Sequence, residues 1–481
     1  MNRYLRLCVT AVVTLTCARN PATGARELML VSEGQEIALG RQNDPGIVAQ
    51  MGLVADSGLQ RYVSGLGMAL AGVSERPKLP WTFRVIDDPT VNAFAVPGGY
   101  IYVTRGILAH LNSEAELVAV LGHEVGHVTA RHSAAQMSKA QLATLGLIVG
   151  TVVEPGFAQY AQTASQGLSL LFLKFGRDDE READDLGLRY LRRTGYDARQ
   201  MPQVFTLLAR VSAASPAGRV PTWLSSHPDP EDRRGRMERA VAALPAESLG
   251  RTVNRGPFLQ QIDGLIYGAN PRDGFFRGTA FFHPDLQFRV EFPAGWTTTN
   301  QRQYVAAMSP QQDALVQLAL EEKAATPEAA ARAFFGQAGL RGYPASARIN
   351  GLAAQTGKFA AQTQNGVIAG FVAFVAHGGA VYRLLGYAPA VRWRARASDV
   401  SRAIESFDRL TDPVLLRVQP HRVTVVTLPR AMTLVEFAAA YPGPVSLPEL
   451  ARLNNVAEAA RFAAGDRVKR VVGEALPGGR P

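Results

Sequence analysis

Apolar positions between Leu117 and Val125 recur on a helical period, with Leu117, Val118, Val120, Leu121 and Val125 forming one broad apolar side. Ser113 stands where an N-cap belongs and Glu116, three residues on, completes a capping-box pattern, so a buried helix is predicted from there. A second helical face is marked by Ala183, Leu186, Gly187, Tyr190 and Leu191, opening in the acidic run from Asp178 to Asp185. Upstream of both, Gly99-Tyr100-Ile101-Tyr102-Val103 alternates like a strand. Leu142 to Val153 is an uninterrupted small and apolar run, too short to span a bilayer. It reads as a core helix, with a membrane-leaning lip as the alternative.

The pattern changes after Gly250. Residues 251–277, rich in Gly, Asn and Pro, read as a linker with a short helix in the middle. From 278 to 412 an α+β sandwich is predicted. Leu286–Phe292 and Ala314–Leu320 alternate as strands, Pro327–Gln337 is helical, Val367–Val375 and Val381–Tyr387 make a hairpin around Gly378-Gly379, and Ala397–Phe407 is a final helix. Residues 415–474 complete the chain as a small third module. The fold expected is therefore multidomain: a mainly α-helical first domain over 18–250 with a small β-sheet, then the α+β sandwich, then the small module.

Composition bounds this picture without sharpening it. At 481 residues, 47% apolar and 19% charged, the chain is long enough for two to four domains with cores of their own. Its formal charge of +10 invites a nucleic-acid reading, but the basic residues are dispersed and no nucleic-acid motif is present. Solubility or contact with anionic lipid accounts for the charge instead.

The first residues point to export. Arg3 and Arg6 precede an apolar stretch from Leu7 to Leu15, which has the length of a signal-peptide h-region and is too short for a spanning helix. Residues 1–17 are read as a lipoprotein-type signal. Thr14-Leu15-Thr16 is a poor lipobox, and ordinary cleavage near Ala25 is the alternative. Cys8 would leave with the signal, so Cys17 would be the one remaining thiol, without a disulfide partner. Lipidation of Cys17 explains that singleton, and the absence of Asp at Ala18 directs the anchor to the periplasmic leaflet of the outer membrane.

The chemistry concentrates at His123-Glu124-Val125-Gly126-His127. Two imidazoles four residues apart share a helix face and reach one metal, while Glu124 turns toward a water on that metal. Gly122 and Gly126 each weaken a helix by about 1 kcal/mol relative to Ala, which makes sense if another element approaches the backbone there. A catalytic zinc takes three protein ligands and keeps one open position. The metzincin pattern fails, because Ala130 and Ser133 stand where Gly and His are required. His132 is one residue out of register and is left a supporting or surface role. Glu180 projects close to the inward face of the second helix while Glu182 projects away, which makes Glu180 the third ligand. Asp184, one turn on, is placed to accept from the distal nitrogen of a ligating His and fix its tautomer.

The pairing of HExxH with ExxxD, here Glu180 to Asp184, resembles the gluzincin family that includes the CAAX prenyl endopeptidases and HtpX, peptidase family forty-eight. Asn92-Ala-Phe-Ala-Val-Pro-Gly-Gly-Tyr-Ile-Tyr-Val resembles the strand before its metal helix, and Ser226-His227-Pro228 followed by Arg233 resembles its downstream His-Pro segment. The soluble periplasmic branch, BepA/LoiP-like, is the nearest in pattern. The resemblance runs from about Cys17 to Ala246 and implies one Zn2+ per chain, with His227 as a candidate fourth, inhibitory ligand over the metal.

Zinc held by His123, His127 and Glu180, with Glu124 as general base, supports peptide-bond hydrolysis. An exposed edge at Gly98, Gly99 and Tyr100 is expected to pair with substrate backbone by β-augmentation, favouring unfolded or unassembled envelope proteins. The 278–412 module is similar to small PsbP- or Mog-like domains, and His283 and His377 within it read as structural. In the last module Thr433-Leu-Val-Glu-Phe-Ala, Leu453-Asn-Asn-Val and Ala464-Gly-Asp-Arg-Val-Lys fall in the order of a LysM-like βααβ module, with Arg422–Leu428 as its first strand. That likeness implies peptidoglycan as a partner. The competing functions are a chaperone or assembly factor on a peptidase fold and a peptidoglycan-directed amidase; the intact Glu124 speaks against the first.

Overall fold

The computed structural model describes residues 17–144, 175–214, 227, 229–363 and 366–474. They form two compact units, one holding the chain up to Gly268 together with Arg422–Val472, the other centred on Ala269–His421. Among the described residues no helix is long and apolar enough to cross a membrane. The expected signal segment ahead of Cys17 lies outside the described residues. Cys17 opens β1 (Cys17–Arg19), which pairs antiparallel with β2 (Arg26–Leu28).

In the first unit, α1 (Glu33–Met51) and α2 (Ser57–Gly72) precede a three-stranded sheet of β3 (Thr82–Ile86), β4 (Ala93–Val96) and β5 (Tyr100–Thr104). The strand order is β3-β5-β4, with β5 parallel to β3 and antiparallel to β4. This corrects the expectation for Gly98, Gly99 and Tyr100. Because β5 is the central strand, both its edges are already paired, and it offers no free backbone to a substrate. Gly98 and Gly99 instead make the β4–β5 turn at φ +86° and +96°. A Cβ on Gly98 would come 2.6 Å from the Glu36 carbonyl of α1, so that turn is also a close backbone approach.

A short α3 (Arg105–His110) leads into α4 (Glu114–Thr129), the predicted helix, in which every residue is buried. Ser113 caps it, accepting from the Glu116 amide at 3.2 Å. The Glu116 carboxylate does not close the box on Ser113. It accepts from the Asn112 amide at 2.6 Å, one residue earlier. After α5 (His132–Thr144), α6 (Arg177–Arg193) packs against α4, followed by α7 (Gln200–Ala213) and α8 (Pro230–Ala242). Of the Leu142–Val153 run, the first three residues close α5 and the rest lies outside the described residues.

The glycines predicted to admit a neighbour do so. A Cβ on Gly126 would stand 2.9 Å from Ala183 O, one on Gly122 3.2 Å from Gly187 O, and one on Gly187 3.0 Å from the His123 nitrogen. Helices α4 and α6 therefore meet backbone to backbone, closer than side chains on both faces would permit.

The expected linker is a correction. Within residues 251–277, α9 (Arg255–Gln261) places Phe258 and Leu259, with the C-cap residue Ile262, fully inside the same core as α4 and α6. Their spacing makes an apolar helix face, which the surrounding Gly, Asn and Pro content obscured.

The second unit carries β6 (Phe275–Arg277), β7 (Ala280–His283), β8 (Phe288–Glu291), β9 (Thr297–Gln301), β10 (Tyr304–Met308), β11 (Leu315–Leu320), α10 (Pro327–Phe335), β12 (Leu340–Gly342), β13 (Ala345–Ile349), β14 (Leu352–Thr363), β15 (Gly366–His377), β16 (Ala380–Pro389), α11 (Ala390–Glu405) and β17 (Asp408–Arg409). Its main sheet runs β12-β14-β15-β16-β11-β10-β9 with β13 on β14, and a smaller sheet runs β17-β8-β7-β6. The β15–β16 hairpin turns at Gly378 and Gly379, both at positive φ, as the sequence predicts. Helix α11 starts at Ala390, seven residues before the expected start, and buries Val400, Ala403 and Ile404. His283 accepts from the Leu286 amide, and His377 lies 3.0 Å from the Gln287 carbonyl, which accounts for both as structural groups.

The C-terminal module returns to the first unit. It runs β18 (Arg422–Thr427), β19 (Met432–Thr433), α12 (Leu434–Ala440), α13 (Leu447–Leu453), β20 (Arg461–Phe462) and β21 (Arg467–Val472), with β18 and β21 antiparallel. The βααβ order is as expected; its independence is not. The Lys469 ammonium, fully buried, donates to the carbonyls of Ala109 at 2.7 Å, His110 at 3.1 Å and Leu111 at 2.6 Å. These acceptors end α3, one turn before the cap of α4, so the module braces the approach to the predicted metal helix.

Replacing Gly126 by Ala separates propensity from packing. Helix propensity alone would stabilise the variant by about 1 kcal/mol. The new methyl would meet backbone atoms that cannot rotate away, so urea unfolding is expected to show a net loss of about 1–3 kcal/mol. A net gain would mean that the α4–α6 contact is looser than the structure has it.

Candidate metal centre

The close approach of α4 and α6 decides where the polar side chains meet. His123 and His127 lie one turn apart on α4, and Glu180 lies in the first turn of α6. His227, just ahead of α8, joins them. One ligand-capable atom from each of the four lies within 4.8 Å of the others, and all four residues are buried. This is the only such group among the described residues.

The separations have the scale of a coordination shell. The two imidazole Nε2 atoms are 3.0 Å apart, and each is 3.5 Å from an oxygen of Glu180. His227 Nδ1 stands 3.3 Å from His123 Nε2 and 2.8 Å from Glu180 Oε1. A tetrahedral ion with bonds of about 2.0–2.1 Å sets its ligand atoms about 3.3–3.4 Å apart. The donor set of imidazole nitrogens and one carboxylate suits zinc in kind as well.

Charge and hydrogen bonding agree. Glu124, Glu180 and Asp184 are each at most 1% exposed, and Arg233 is 3% exposed. Taken at formal charge, these groups leave two negative charges buried, the complement of a divalent cation. Among the described residues neither oxygen of Glu124 has a hydrogen-bond partner, and His227 Nε2 lies 3.7 Å from one of them. A buried carboxylate without donors fits a site that receives a water or an ion.

Each group is tuned by its surroundings. Burial pushes the Glu124 carboxyl up, opposed by His227 and His123. Burial would also raise Glu180, but His227 and Arg233 overturn that and hold its carboxyl well below the usual carboxylate range. Burial lowers His127 well below the ordinary imidazole value, keeping the ring neutral as a ligand must be. Asp184 is likewise held down against its burial, chiefly by Arg233. Its Oδ1 lies 3.0 Å from His123 Nδ1, on the side of that ring away from the cluster.

Three groups around the centre carry weight that the sequence did not assign. Arg233 donates to both Asp184 oxygens at 2.6 and 2.9 Å, places another nitrogen 2.7 Å from Glu180 Oε2, and lies over the Phe205 ring of α7. Its signal was available: Arg233, Met237 and Val241 are the buried residues of α8 and fall on one face at four-residue spacing. Phe175 stacks on His127 with centroids 4.1 Å apart. His132, left a supporting or surface role, is buried with its Nδ1 2.9 Å from His127 Nδ1. Ser226 and Pro228 lie outside the described residues.

Arg233→Met is expected to destabilise the metal-free protein by about 3–5 kcal/mol, because it strips the shared guanidinium from two buried carboxylates. In urea unfolding, the double variant Arg233→Met with Asp184→Leu should recover part of that loss, since one uncompensated charge goes with it. Strict additivity of the two costs would contradict the coupling.

Comparison with known proteins converges on the same segment. The profile of Peptidase family M48 matches residues 57–241. The beta-barrel assembly-enhancing protease of Escherichia coli is 30% identical over 221 residues, covering 44% of this chain and 45% of that protein. The mitochondrial metalloendopeptidase OMA1 of Arabidopsis thaliana is 34% identical over 204 residues, covering 42% of this chain and 40% of its own. The chain thus spans about half the length of the curated relatives it matches. Among solved structures, the cyanobacterial PsbP of Synechocystis covers 28% of this chain and 95% of its own at 11% identity and TM-score 0.23, too slight to assign a fold. Residues 57–241, with the helix pair and buried cluster described above, are a domain of peptidase family M48, in the branch that holds the beta-barrel assembly-enhancing proteases.

Proposed function

We propose that the chain is a zinc-dependent endopeptidase that hydrolyses unfolded or unassembled proteins of the cell envelope. The observation that carries this reading is the buried meeting of His123, His127 and Glu180 beside a Glu124 carboxylate that has no hydrogen-bond partner among the described residues. His123, His127 and Glu180 would hold the ion. When bound, zinc supplies Lewis acidity that polarises a peptide carbonyl and makes water a competent nucleophile near neutral pH.

The chain's own groups do the rest. Glu124 takes the proton of the attacking water and delivers it to the leaving amine; its carboxyl, raised by burial, is matched to both transfers. Asp184 and Arg233 hold His123 and Glu180 from behind, so neither ligand must reorganise as charge develops. His227 occupies the side of the cluster that water and substrate need, between Glu180 and Glu124. The described arrangement is therefore read as a closed state, and His227 must withdraw for turnover.

Substrate pairing moves from Gly98–Tyr100 to the adjacent strand. β4 is an edge of the three-stranded sheet and packs beside α4, so its outer backbone is the one placed to receive an extended peptide along the metal helix. Main-chain pairing requires a locally unfolded substrate. The name of the Escherichia coli relative, a beta-barrel assembly-enhancing protease, supports proteins undergoing assembly as the substrate class; the export signal read in residues 1–17 puts that work in the cell envelope. Lipidation at Cys17 would anchor the enzyme to the outer membrane's periplasmic leaflet, and the LysM-like βααβ module would contact peptidoglycan.

Purified protein is expected to contain about one zinc per chain and to cleave casein, with loss of cleavage on chelation. Glu124→Gln should keep its zinc while cleavage falls by about 10²–10⁴-fold, and Glu180→Ala should lose metal affinity. Casein cleavage by Glu124→Gln at the unmodified rate would refute the mechanism. His227→Ala is expected to raise cleavage; an unchanged rate would remove its gating role.

A further inference from the structure

His127 is gripped from behind by a chain of groups that takes no part in the ligand cluster. Its Nε2 faces His123 and Glu180, whereas its Nδ1 lies 2.9 Å from Nδ1 of His132. The other nitrogen of His132, Nε2, stands 3.5 Å from Glu182 Oε2. Glu182 Oε1 accepts from the Asn20 amide at 2.9 Å, and the same amide donates to Glu27 at 2.8 Å. Asn20, at 0% exposure, and His132, at 2%, are both buried.

With Nε2 of His127 given to a metal and both rings neutral, one distribution of protons satisfies this chain. If His127 binds an ion through Nε2, its proton sits on Nδ1 and must be donated. The acceptor is His132 Nδ1, which is then bare, so the His132 proton lies on Nε2 and points at the Glu182 carboxylate. Asn20 holds that carboxylate in place. On the other ligand, Asp184 accepts directly from His123 Nδ1; for His127 the carboxylate acts through an intervening imidazole. Backbone geometry serves the same end. Arg131 adopts a left-handed conformation at φ 64° between α4 and α5, pinned by Glu36 and the Val31 carbonyl, and this turn presents His132 to His127.

We propose that His132, backed by Glu182 and Asn20, is a positioning residue that locks His127 with Nδ1 protonated and Nε2 free for metal. The proposal rests on the metal-centre reading above. It ties the segment following Cys17 to the ligand cluster, because Asn20 joins Glu182 to Glu27 of β2.

The full-length protein tests it. Zinc affinity is measured by competition with a chromophoric chelator, and ligand geometry by visible absorption of the Co2+-loaded protein. His132→Leu and Glu182→Leu are expected to weaken zinc binding by about 10–100-fold and to shift the Co2+ bands. His132→Asn, whose side-chain oxygen can still accept from His127 Nδ1, should restore most of the affinity. Wild-type zinc affinity and an unchanged Co2+ spectrum in His132→Leu overturn the proposal.

Side-chain 15N spectra of histidine-labelled, metal-free protein keep the two readings apart and do not depend on how the leucine variants fold. They are expected to show His127 as the Nδ1–H tautomer and His132 as the Nε2–H tautomer. His127 protonated on Nε2 overturns the relay, whatever the metal does. Wild-type protein that takes up no zinc while keeping the expected tautomers sinks the metal reading and leaves the relay supported.

Discussion

The backbone contact between α4 and α6 is the constraint on which the rest depends. Three glycines, Gly122, Gly126 and Gly187, remove the side chains that would hold the two helices apart. At that separation a carboxylate in the first turn of α6 reaches two imidazoles on α4, and Asp184, one turn further on, reaches the rear of one of them. A spacer of a single methyl at these positions would have to be absorbed by backbone, which is the part of a helix least able to yield. The weak helix propensity of these glycines and the precision of the centre are thus two sides of one choice.

Around that contact, charge is concentrated far beyond what a structural core tolerates. Three carboxylates, four imidazoles and a guanidinium share a nearly dry space. Each ligand is steadied by a partner outside the cluster: Asp184 behind His123, Arg233 behind Glu180, His132 behind His127. Of the three carboxylates, Glu124 is the one with no donor on either oxygen among the described residues. That asymmetry sets the cluster apart from a buried ion-pair network, in which every oxygen would be satisfied.

The unit that holds this centre is larger than the helix pair α4 and α6. Residues 251–268 fill its core, and the C-terminal βααβ module reaches back with a buried lysine to the carbonyls that precede the metal helix. Burial pushes the Lys469 ammonium well below the ordinary lysine range, partly offset by the Glu116 carboxylate. Three carbonyls ahead of α4, and Glu116 in its first turn, are thereby coupled to a strand more than three hundred residues away in sequence. A module that reads as an appendage along the chain is, in three dimensions, part of the support of the site.

Much of this was legible residue by residue. The i, i+4 imidazoles, the Ser113 cap, the apolar faces of α4 and α6, the choice of Glu180 over Glu182 and the Gly378-Gly379 hairpin all follow from local periodicity and turn chemistry, which act over a few residues. Tertiary structure decided what periodicity cannot carry: that β5 is the middle strand and Gly98-Gly99 its entry turn, that α9 is core despite its Gly- and Asn-rich surroundings, and that the last module folds onto the first. It alone gathered Arg233, His132, Glu182 and Asn20 around the ligands, because their partners lie from five to more than one hundred and sixty residues away. Local spacing determined which atoms are able to bind a metal. Packing across the chain decided which of them are held still, since orientation is set by neighbours that share space and not sequence.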